Sequence, residues 1–505
     1  MTRTLGLGLA GALVLASATI VASPLAHAGV SCFSAGVSDF NGDGHADAVV
    51  ADPDATVGGL ALAGRVFVLY GSDGQLGVGG PRVVLTAASV GLPVHAGDRF
   101  GSAVAIAQVD MDSCADLVIG IPRRDVAGQG DAGAIGILFG STTGINGNLP
   151  PQVKTQAAMG GVVEAGDRLG SAVAAGTYLG SDISVVVAGA PGENLGDDVD
   201  TGVINTLNFS DSGGVWPTQY SQDTPSIPGT NEDGDLWGSA LTMAPNLLDD
   251  SGYYDLLVGA PGEDVGSANG AGSVTVIAGI HGGDPLTAIS VTQNTAGVPG
   301  TAESGDRFGA SLAADGAQSQ PRSVVIGSPG EAIGSVAGAG SVTYFANPGG
   351  GSLGNGVGLT QNTAGVPGVA EVSDHFGASV ALLPGGGQFA VGVSGEDIGA
   401  VANTGSVQVF DDDADHVASY DLDSPGASGA ISSGAAYGSA LAGFVVAGEQ
   451  GFLVGAPGQP GVGGSGIVHV ISDHLDRSWL PGAGGLPAGG VRFRCCGRDQ
   501  RIGPS

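Results

Sequence analysis

The sequence predicts an all-β fold, a seven-bladed β-propeller of four-stranded blades. Three observations lead to this prediction: an internal repeat that runs through most of the chain, a set of strand patterns inside each repeat unit, and no segment with a long helical period. A repeat of this kind buries its apolar surface between neighbouring units, so the chain needs no further division into domains.

The repeat is clearest in two stretches, VTQNTAGVPGTAESGDRFGAS ending at Ser311 and LTQNTAGVPGVAEVSDHFGAS ending at Ser379, which agree at about three-quarters of their positions. An apolar residue followed by Gly marks each unit: Phe100-Gly101, Leu169-Gly170, Trp237-Gly238, Phe308-Gly309, Phe376-Gly377 and Tyr437-Gly438. A second landmark, GAP or a variant of it, ends at Pro53, Pro122, Pro191, Pro261, Pro329, Ser394 and Pro457. These landmarks define seven units, of which the first has no aromatic–Gly pair and the sixth reads GVS.

Each unit contains four strand patterns. The segment after the aromatic–Gly pair alternates briefly, DLLVGAP and SVVVAGAP are β-rich runs that stop at Pro, and GSVTVI and GRVFVLY are third strands. A weaker fourth pattern, as in ISVTQ, precedes the next unit. A β-solenoid is the alternative, but its rung of roughly 20–30 residues is much shorter than these units. A row of small sandwiches is the other alternative.

The net charge and the N-terminal sequence limit which partners and which location are expected for this protein. The net charge of −33 argues against nucleic acid and anionic membranes as partners. Residues 1–28 predict a secretory signal peptide, with Arg3, an apolar run and an Ala26-His27-Ala28 cleavage site; an uncleaved anchor helix is the alternative. The mature chain is expected to be secreted, to have no membrane span and to be a monomer, with its propeller in residues 29–480.

The paired landmarks resemble the FG-GAP repeat of the integrin α-subunit N-terminal propeller and its bacterial relatives. The resemblance runs from about Cys32 to Leu480. It implies a calcium-stabilised propeller that acts as a binding or adhesion module for an extracellular protein or glycan. FG-GAP repeats also occur in glycosylphosphatidylinositol-specific phospholipase D, beside a separate catalytic region that is not visible in this sequence.

The stretch DFNGDGHAD predicts a calcium site. Asp39, Asn41, Asp43 and Asp47 occupy positions 1, 3, 5 and 9, and the carbonyl of His45 is the natural position-7 ligand. Oxygen donors at alternate positions suit Ca²⁺, and Gly at position 6 permits the sharp turn. An EF-hand would need Glu at position 12, where Val50 stands. The loop resembles the calcium loop of integrin-type blades; a metal-free Asx-rich turn is the alternative.

Two further loops repeat this pattern less completely. In QVDMDSCAD the candidate ligands are Gln108, Asp110, Asp112, the carbonyl of Cys114, and Asp116, with Ser113 where the first loop has Gly. In LLDDSGYYD the residues Asp249, Ser251 and Asp255 remain, but Leu247 holds position 1, so metal occupancy there stays open.

Other acids recur once in each of several units. Asp98, Asp167, Asp235, Asp306 and Asp374 precede the aromatic–Gly pair and are interpreted as turn formers that bind local backbone. Glu193, Glu263, Glu331 and Glu396 follow the GAP landmark and are interpreted as solvated loop acids, with a ligand-facing rim as the alternative.

No nucleophile-elbow, zinc-protease or P-loop motif is present, so an enzyme is not favoured. His469 is interpreted as a solvated residue on a strand, and His474 lies nearby. A secreted hydrolase with its site on a propeller face remains the second hypothesis. Cys32 and Cys114 are the plausible disulfide pair. Residues 481–505, with four Arg and the pair Cys495-Cys496, predict a disordered basic tail without a strand.

Overall fold

The computed structural model describes residues 38–479, with gaps at 73–74, 148, 178–182, 211–213, 281–286, 317–321, 428, 447–448, 462–463 and 473–476, and also residues 494–495. These residues form seven four-stranded antiparallel sheets, which are the blades of a β-propeller and confirm the predicted fold class. Within the described residues the helical segments are two short 3₁₀ turns, Ala87–Val90 and Gln156–Met159.

Blades 2 to 7 are each built from four consecutive strands, while blade 1 combines both ends of the chain. Blade 1 contains β1 (Ala48–Asp52), β2 (Arg65–Ser72), β3 (Gln75–Leu85) and β28 (Arg494–Cys495). Blade 2 contains β4 (Val104–Ala107), β5 (Asp116–Ile121), β6 (Ala134–Leu138) and β7 (Gln152–Lys154); blade 3 contains β8 (Ala172–Thr177), β9 (Ile183–Ala190), β10 (Val203–Ser210) and β11 (Val215–Tyr220). Blade 4 contains β12 (Ala240–Pro245), β13 (Tyr254–Ala260), β14 (Ser273–Ala278) and β15 (Thr287–Val291); blade 5 contains β16 (Ser311–Asp315), β17 (Ser323–Ser328), β18 (Ser341–Ala346) and β19 (Gly356–Leu359). Blade 6 contains β20 (Phe376–Leu382), β21 (Gln388–Val393), β22 (Ser406–Asp411) and β23 (His416–Tyr420); blade 7 contains β24 (Ala440–Val446), β25 (Glu449–Gly461), β26 (Gly464–Ser472) and β27 (Arg477–Trp479).

The inner strand of blade 1 comes from the predicted tail. β28 pairs antiparallel with β1, with Val50 opposite Cys495 and Ala51 opposite Arg494. The expectation that no strand follows Leu480 is therefore wrong at these two residues. A two-residue strand is too short to show an alternating pattern, and its partner lies at the other end of the chain. The pairing also explains why the first repeat unit has no aromatic–Gly segment of its own. The other tail residues lie outside the described part of the chain.

The order of strands gives the propeller two distinct faces. In each antiparallel blade, connections from the first to the second strand and from the third to the fourth emerge at one end. We call this end the lower face. The connections from the second to the third strand, and from the fourth strand to the next blade, emerge at the other end, which we call the upper face.

The two landmarks of the repeat hold neighbouring blades together. The apolar residues of the aromatic–Gly pairs are fully buried, as at Phe308 and Phe376. Gly309 has a φ of 90°, a conformation that favours glycine. A Cβ on Gly327, in the GSP landmark of blade 5, would lie 2.2 Å from the carbonyl oxygen of Gly377 in blade 6. The repeat is therefore preserved because adjacent backbones approach too closely for a side chain.

The predicted signal peptide, residues 1–28, lies outside the described residues. Among the described residues, no helix has the length and apolar character needed to cross a membrane.

Candidate metal centre in the lower-face loops

Three acidic loops, residues 39–47, 108–116 and 247–255, lie at the lower face and lead into the second strands of blades 1, 2 and 4. The first two share a backbone course. At position 4, Gly42 and Met111 have φ values of 65° and 61°, and at position 6, Gly44 and Ser113 have values of 88° and 74°. Ser113 therefore makes the turn that the sequence assigned to glycine, at some cost in strain.

In the first loop, the predicted ligand side chains accept hydrogen bonds from the backbone of the loop. The Asp39 carboxylate accepts hydrogen bonds from the N–H groups of Asn41 (3.3 Å), Asp43 (3.2 Å) and Gly44 (2.9 Å). Asn41 Nδ2 donates to Asp43 Oδ2 at 2.8 Å, and the N–H of His45 donates to Asp43 Oδ1 at 2.9 Å. The structure therefore brings Asp39, Asn41 and Asp43 together in one compact turn.

The acid at position 9 has the same two partners in all three loops. Asp47 accepts from the N–H of Phe40 at 2.9 Å and from that of Gly71, 24 residues later, at 2.8 Å. Asp116 and Asp255 repeat this arrangement: their partners are the position-2 residues Val109 (2.5 Å) and Leu248 (2.6 Å), and Gly140 and Gly279, each 24 residues on at 2.8 Å. This Asp therefore fastens each loop to the end of the third strand.

Burial disfavours the ionised form of these three carboxyl groups. Burial, reinforced by the charges of Asp39 and Asp43, raises the pKa of Asp47 to about 8. The pKa of Asp116 is raised well above its usual range by burial first, and then by Asp110 and Asp112. Burial raises the pKa of Asp255 to about 6. A nearby cation would favour the charged form of each carboxyl group.

The chemistry of the donor set fits a hard cation. Asp39, Asn41, Asp43 and Asp47 offer carboxylate and amide oxygens, which Ca²⁺ prefers, and the His45 carbonyl would add one more. Within the described residues, however, no three His, Cys, Asp or Glu side chains converge as ready metal ligands. In the present arrangement the side chains are turned toward the loop backbone, so calcium binding remains a prediction.

The second loop resembles the first in part. Gln108 Nε2 donates to the Ser113 carbonyl at 3.4 Å, and the N–H of Cys114 donates to Asp112 Oδ1 at 2.8 Å. The N–H of Asp112 donates to Asp110 Oδ1 at 3.2 Å. The predicted residues thus share one turn, with the Gln108 amide nitrogen directed into it.

The third loop contains a residue that the sequence analysis missed. Leu247, at position 1, is fully buried and offers no side-chain oxygen. Instead, Asn246 Oδ1 accepts from the N–H of Gly252 at 2.7 Å, as Asp39 does from Gly44 in the first loop. The side chain that accepts this hydrogen bond therefore comes one residue earlier than in the first loop. A search with fixed spacing misses such a residue, although the Asn directly before the loop was a signal for it.

The acids before the aromatic–Gly pairs are turn formers, as predicted. Each accepts, through Oδ2, the N–H of the residue three positions earlier: Asp98 from His95, Asp167 from Glu164, Asp235 from Glu232, Asp306 from Glu303 and Asp374 from Glu371.

Two predictions of solvated side chains are wrong. Glu193 is only 4% exposed, and Glu263, Glu331 and Glu396 are partly buried; each accepts a hydrogen bond from a Gln side chain. His469 is fully buried, and its Nδ1 lies 2.6 Å from the Tyr437 hydroxyl. Both errors arise because residues distant in the sequence cover these positions: a Gln side chain contacts each Glu, and Tyr437 contacts His469. His474 lies outside the described residues.

Cys114 is disulfide-bonded and fully buried. The N–H of the next residue, Ala115, donates to the carbonyl of Asp39 at 2.9 Å, so the first acidic loop lies beside Cys114. Cys32 itself lies outside the described residues, and its pairing with Cys114 stays a prediction.

Comparison with known protein sequences gives short matches. No protein-family model matches the chain. The phosphatidylinositol-glycan-specific phospholipases D of Bos taurus and Homo sapiens are each 34% identical to it over 111 residues, which is 21% of this chain and 13% of theirs. The chain thus matches only a small part of the length of these relatives. A mutant of AofleA from Arthrobotrys oligospora aligns with 75% of this chain and 86% of its own, at 10% identity and a TM-score of 0.35.

Proposed function

We propose that the chain is an exported propeller of the integrin-like FG-GAP type, stabilised by calcium, which acts as a binding or adhesion module for an extracellular protein or glycan. The observation that carries this proposal is the recurrence of one loop design, with Asp47, Asp116 and Asp255 in equivalent hydrogen bonds. A calcium ion in the first two loops would neutralise carboxylates that are otherwise costly to ionise. Calcium would then stabilise the blades rather than take part in chemistry.

The upper face is the proposed binding surface. It carries exposed valines in the connections between strands: Val162 (65% exposed), Val369 (62%), Val372 (69%) and Val199 (52%). Connections on a rigid scaffold commonly carry recognition residues, and apolar side chains exposed among acids can bury surface against a partner. With calcium at the lower face, the ligand and the metal would lie at opposite ends of the strands.

Binding to protein and glycan arrays, with calcium and with a chelator, tests this proposal. We expect a Val369→Asp/Val372→Asp variant to lose ligand binding while its thermal midpoint stays near that of the wild type. Val417→Asp is the matched control, because Val417 is 49% exposed on the outer strand β23. Retention of binding by the double variant would contradict the assignment of the upper face.

The similarity to phosphatidylinositol-glycan-specific phospholipase D favours a second candidate, a hydrolase with its site on a propeller face. The matched segment is short, and the activity belongs to a much longer protein. Incubation of the purified chain with a phosphatidylinositol-glycan-anchored protein tests this candidate. Release of the protein into solution would support it, and full retention on the membrane would oppose it.

A further inference from the structure

The upper face contains four equivalent sets of buried or partly buried polar side chains, which we call the Gln–Asp–Glu sets. In each set, Gln starts the connection between two blades, Asp lies two residues before the aromatic–Gly landmark, and Glu follows the GAP-type landmark of the next blade. The sets are Gln156, Asp167 and Glu193; Gln222, Asp235 and Glu263; Gln293, Asp306 and Glu331; and Gln361, Asp374 and Glu396.

In each set the same hydrogen bond joins the Gln to the Glu, and the set contains polar atoms without a hydrogen-bond partner. The Gln Nε2 donates to the Glu Oε2 in all four sets, at 2.5 Å for Gln222 and Glu263. The four Gln side chains are at most 4% exposed, and the Oε1 of each is buried without a hydrogen-bond partner. Asp167 Oδ1 and Asp235 Oδ1 are buried and unpartnered as well. Buried oxygens of this kind normally have a partner.

Each set also brings two carboxyl groups together without an ion-paired Lys or Arg, although His375 acts electrostatically on Asp374 in the fourth set. Burial, with added repulsion from Asp167 and Glu164, raises the pKa of Glu193 to about 7. Asp306 acts on Glu331, and Asp374 acts on Glu396, in the same way. In the described part of the chain, no Lys or Arg forms an ion pair with any of these eight acids.

Two other units of the repeat have different residues at the three positions of the Gln–Asp–Glu set. In the unit that begins blade 2, Asp98 is the Asp of the set, while Ala87 stands in place of Gln and Arg124 in place of Glu. Arg124 Nη1 lies 2.8 Å from Asp98 Oδ2, and both residues are buried, at 7% and 2% exposure. A positive group therefore occupies the place beside this Asp.

In the unit that begins blade 7, the three residues are Leu422, Ala435 and Gln459. Both acids and the Gln at the first position are absent together. The described units thus hold either the whole acidic set, or an Asp with a fixed cation, or neither acid. This pattern indicates that the acidic sets act as units that need a positive charge.

We propose that each Gln–Asp–Glu set binds one divalent cation of the Ca²⁺ or Mg²⁺ type through the Asp Oδ1, the Glu carboxylate and the Gln Oε1. An all-oxygen donor set with two negative charges matches such an ion, and the ion would supply the partner that the buried amide oxygens do not have. These sites lie at the face opposite the lower-face loops. They would fasten the connection between two blades to the following blade, beneath the proposed binding surface.

Native mass spectrometry after loading with Ca²⁺ or Mg²⁺ tests this proposal by counting bound ions. We expect Glu193→Gln to reduce the count by one ion, and the combined substitution of all four Glu by Gln to reduce it by four. Asp197→Asn is the matched control, because Asp197 is an exposed acid in the same connection, and it should leave the count unchanged. An unchanged count in Glu193→Gln would overturn the proposal.

A gain of binding provides a second and independent test. Ala87→Gln together with Arg124→Glu rebuilds the acidic set around Asp98, and we expect this variant to bind one additional ion. This measurement decides the matter even if the fourfold variant does not fold. If the added set instead binds no metal and shows the infrared band of a neutral carboxyl group, the sets are proton-sharing pairs and the proposal fails. Asp43→Ala, in the first lower-face loop, reports separately on the calcium loops.

Discussion

The two-residue strand β28 closes the propeller ring, and its removal is expected to destabilise blade 1. A chain that stops after Trp479 loses the pairing of Val50 with Cys495 and of Ala51 with Arg494. One antiparallel hydrogen-bonded pair contains two backbone hydrogen bonds, each contributing about 1 kcal/mol. Partial exposure of Val50, which is fully buried, adds up to about 2 kcal/mol. We therefore expect a loss of about 2–4 kcal/mol in the free energy of unfolding.

Guanidinium unfolding, followed by tryptophan fluorescence, measures this loss. The matched control stops after Gly497, because it keeps β28 and removes only the residues beyond it. We expect the control to unfold at the midpoint of the full chain and the shorter protein to unfold earlier, with faster proteolysis. Equal midpoints for the two truncated proteins would refute ring closure by β28.

Three further predictions concern the core, the loops and the disulfide. Phe308→Ala should lower the free energy of unfolding, measured by chemical denaturation, by about 3–5 kcal/mol. Phe308→Leu should lower it clearly less, because Leu169 occupies the equivalent buried position in another unit, and equal losses for the two variants would contradict equivalent packing. The pKa of Asp47 rises from 3.8 to about 8 on folding, so the protonated form is favoured and stability in calcium-free buffer should fall as pH rises between about 4 and 8. Asp47→Asn should flatten that decline in thermal midpoint, and an unchanged slope would count against the assignment. Cys114→Ser should lower stability by about 2–4 kcal/mol, whereas disulfide mapping that finds Cys32 as a free thiol would reject the predicted pairing.

The sequence allowed the blades to be predicted because close backbone contacts demand particular residues. Glycines such as Gly327 stand where a Cβ would meet the next blade, so the landmark appears in unit after unit. The turn-forming role of Asp167 and its equivalents was also predictable, because an Asp binds backbone only a few residues away. That Asp39, Asn41 and Asp43 share one turn was predictable for the same reason, since they lie within one short segment, while their role as calcium ligands stays a prediction.

Features that depend on distant parts of the chain could not be predicted. Glu193 was expected in solvent, but the connection that carries Gln156, 37 residues earlier, covers it. His469 is buried by its contact with Tyr437 in the same way. Strand β28 pairs with residues more than 400 positions away, and two residues carry no periodicity. Local spacing gives no information about such contacts.

The most direct test of calcium stabilisation compares the thermal midpoints of the wild type and Asp43→Ala, each with calcium and with a chelator. Asp43 is exposed, so its replacement should have little effect on the calcium-free protein. We predict that calcium raises the midpoint of the wild type and raises that of Asp43→Ala by clearly less. An identical calcium-dependent shift in both proteins, or no shift in the wild type, would contradict the proposed role of the loop.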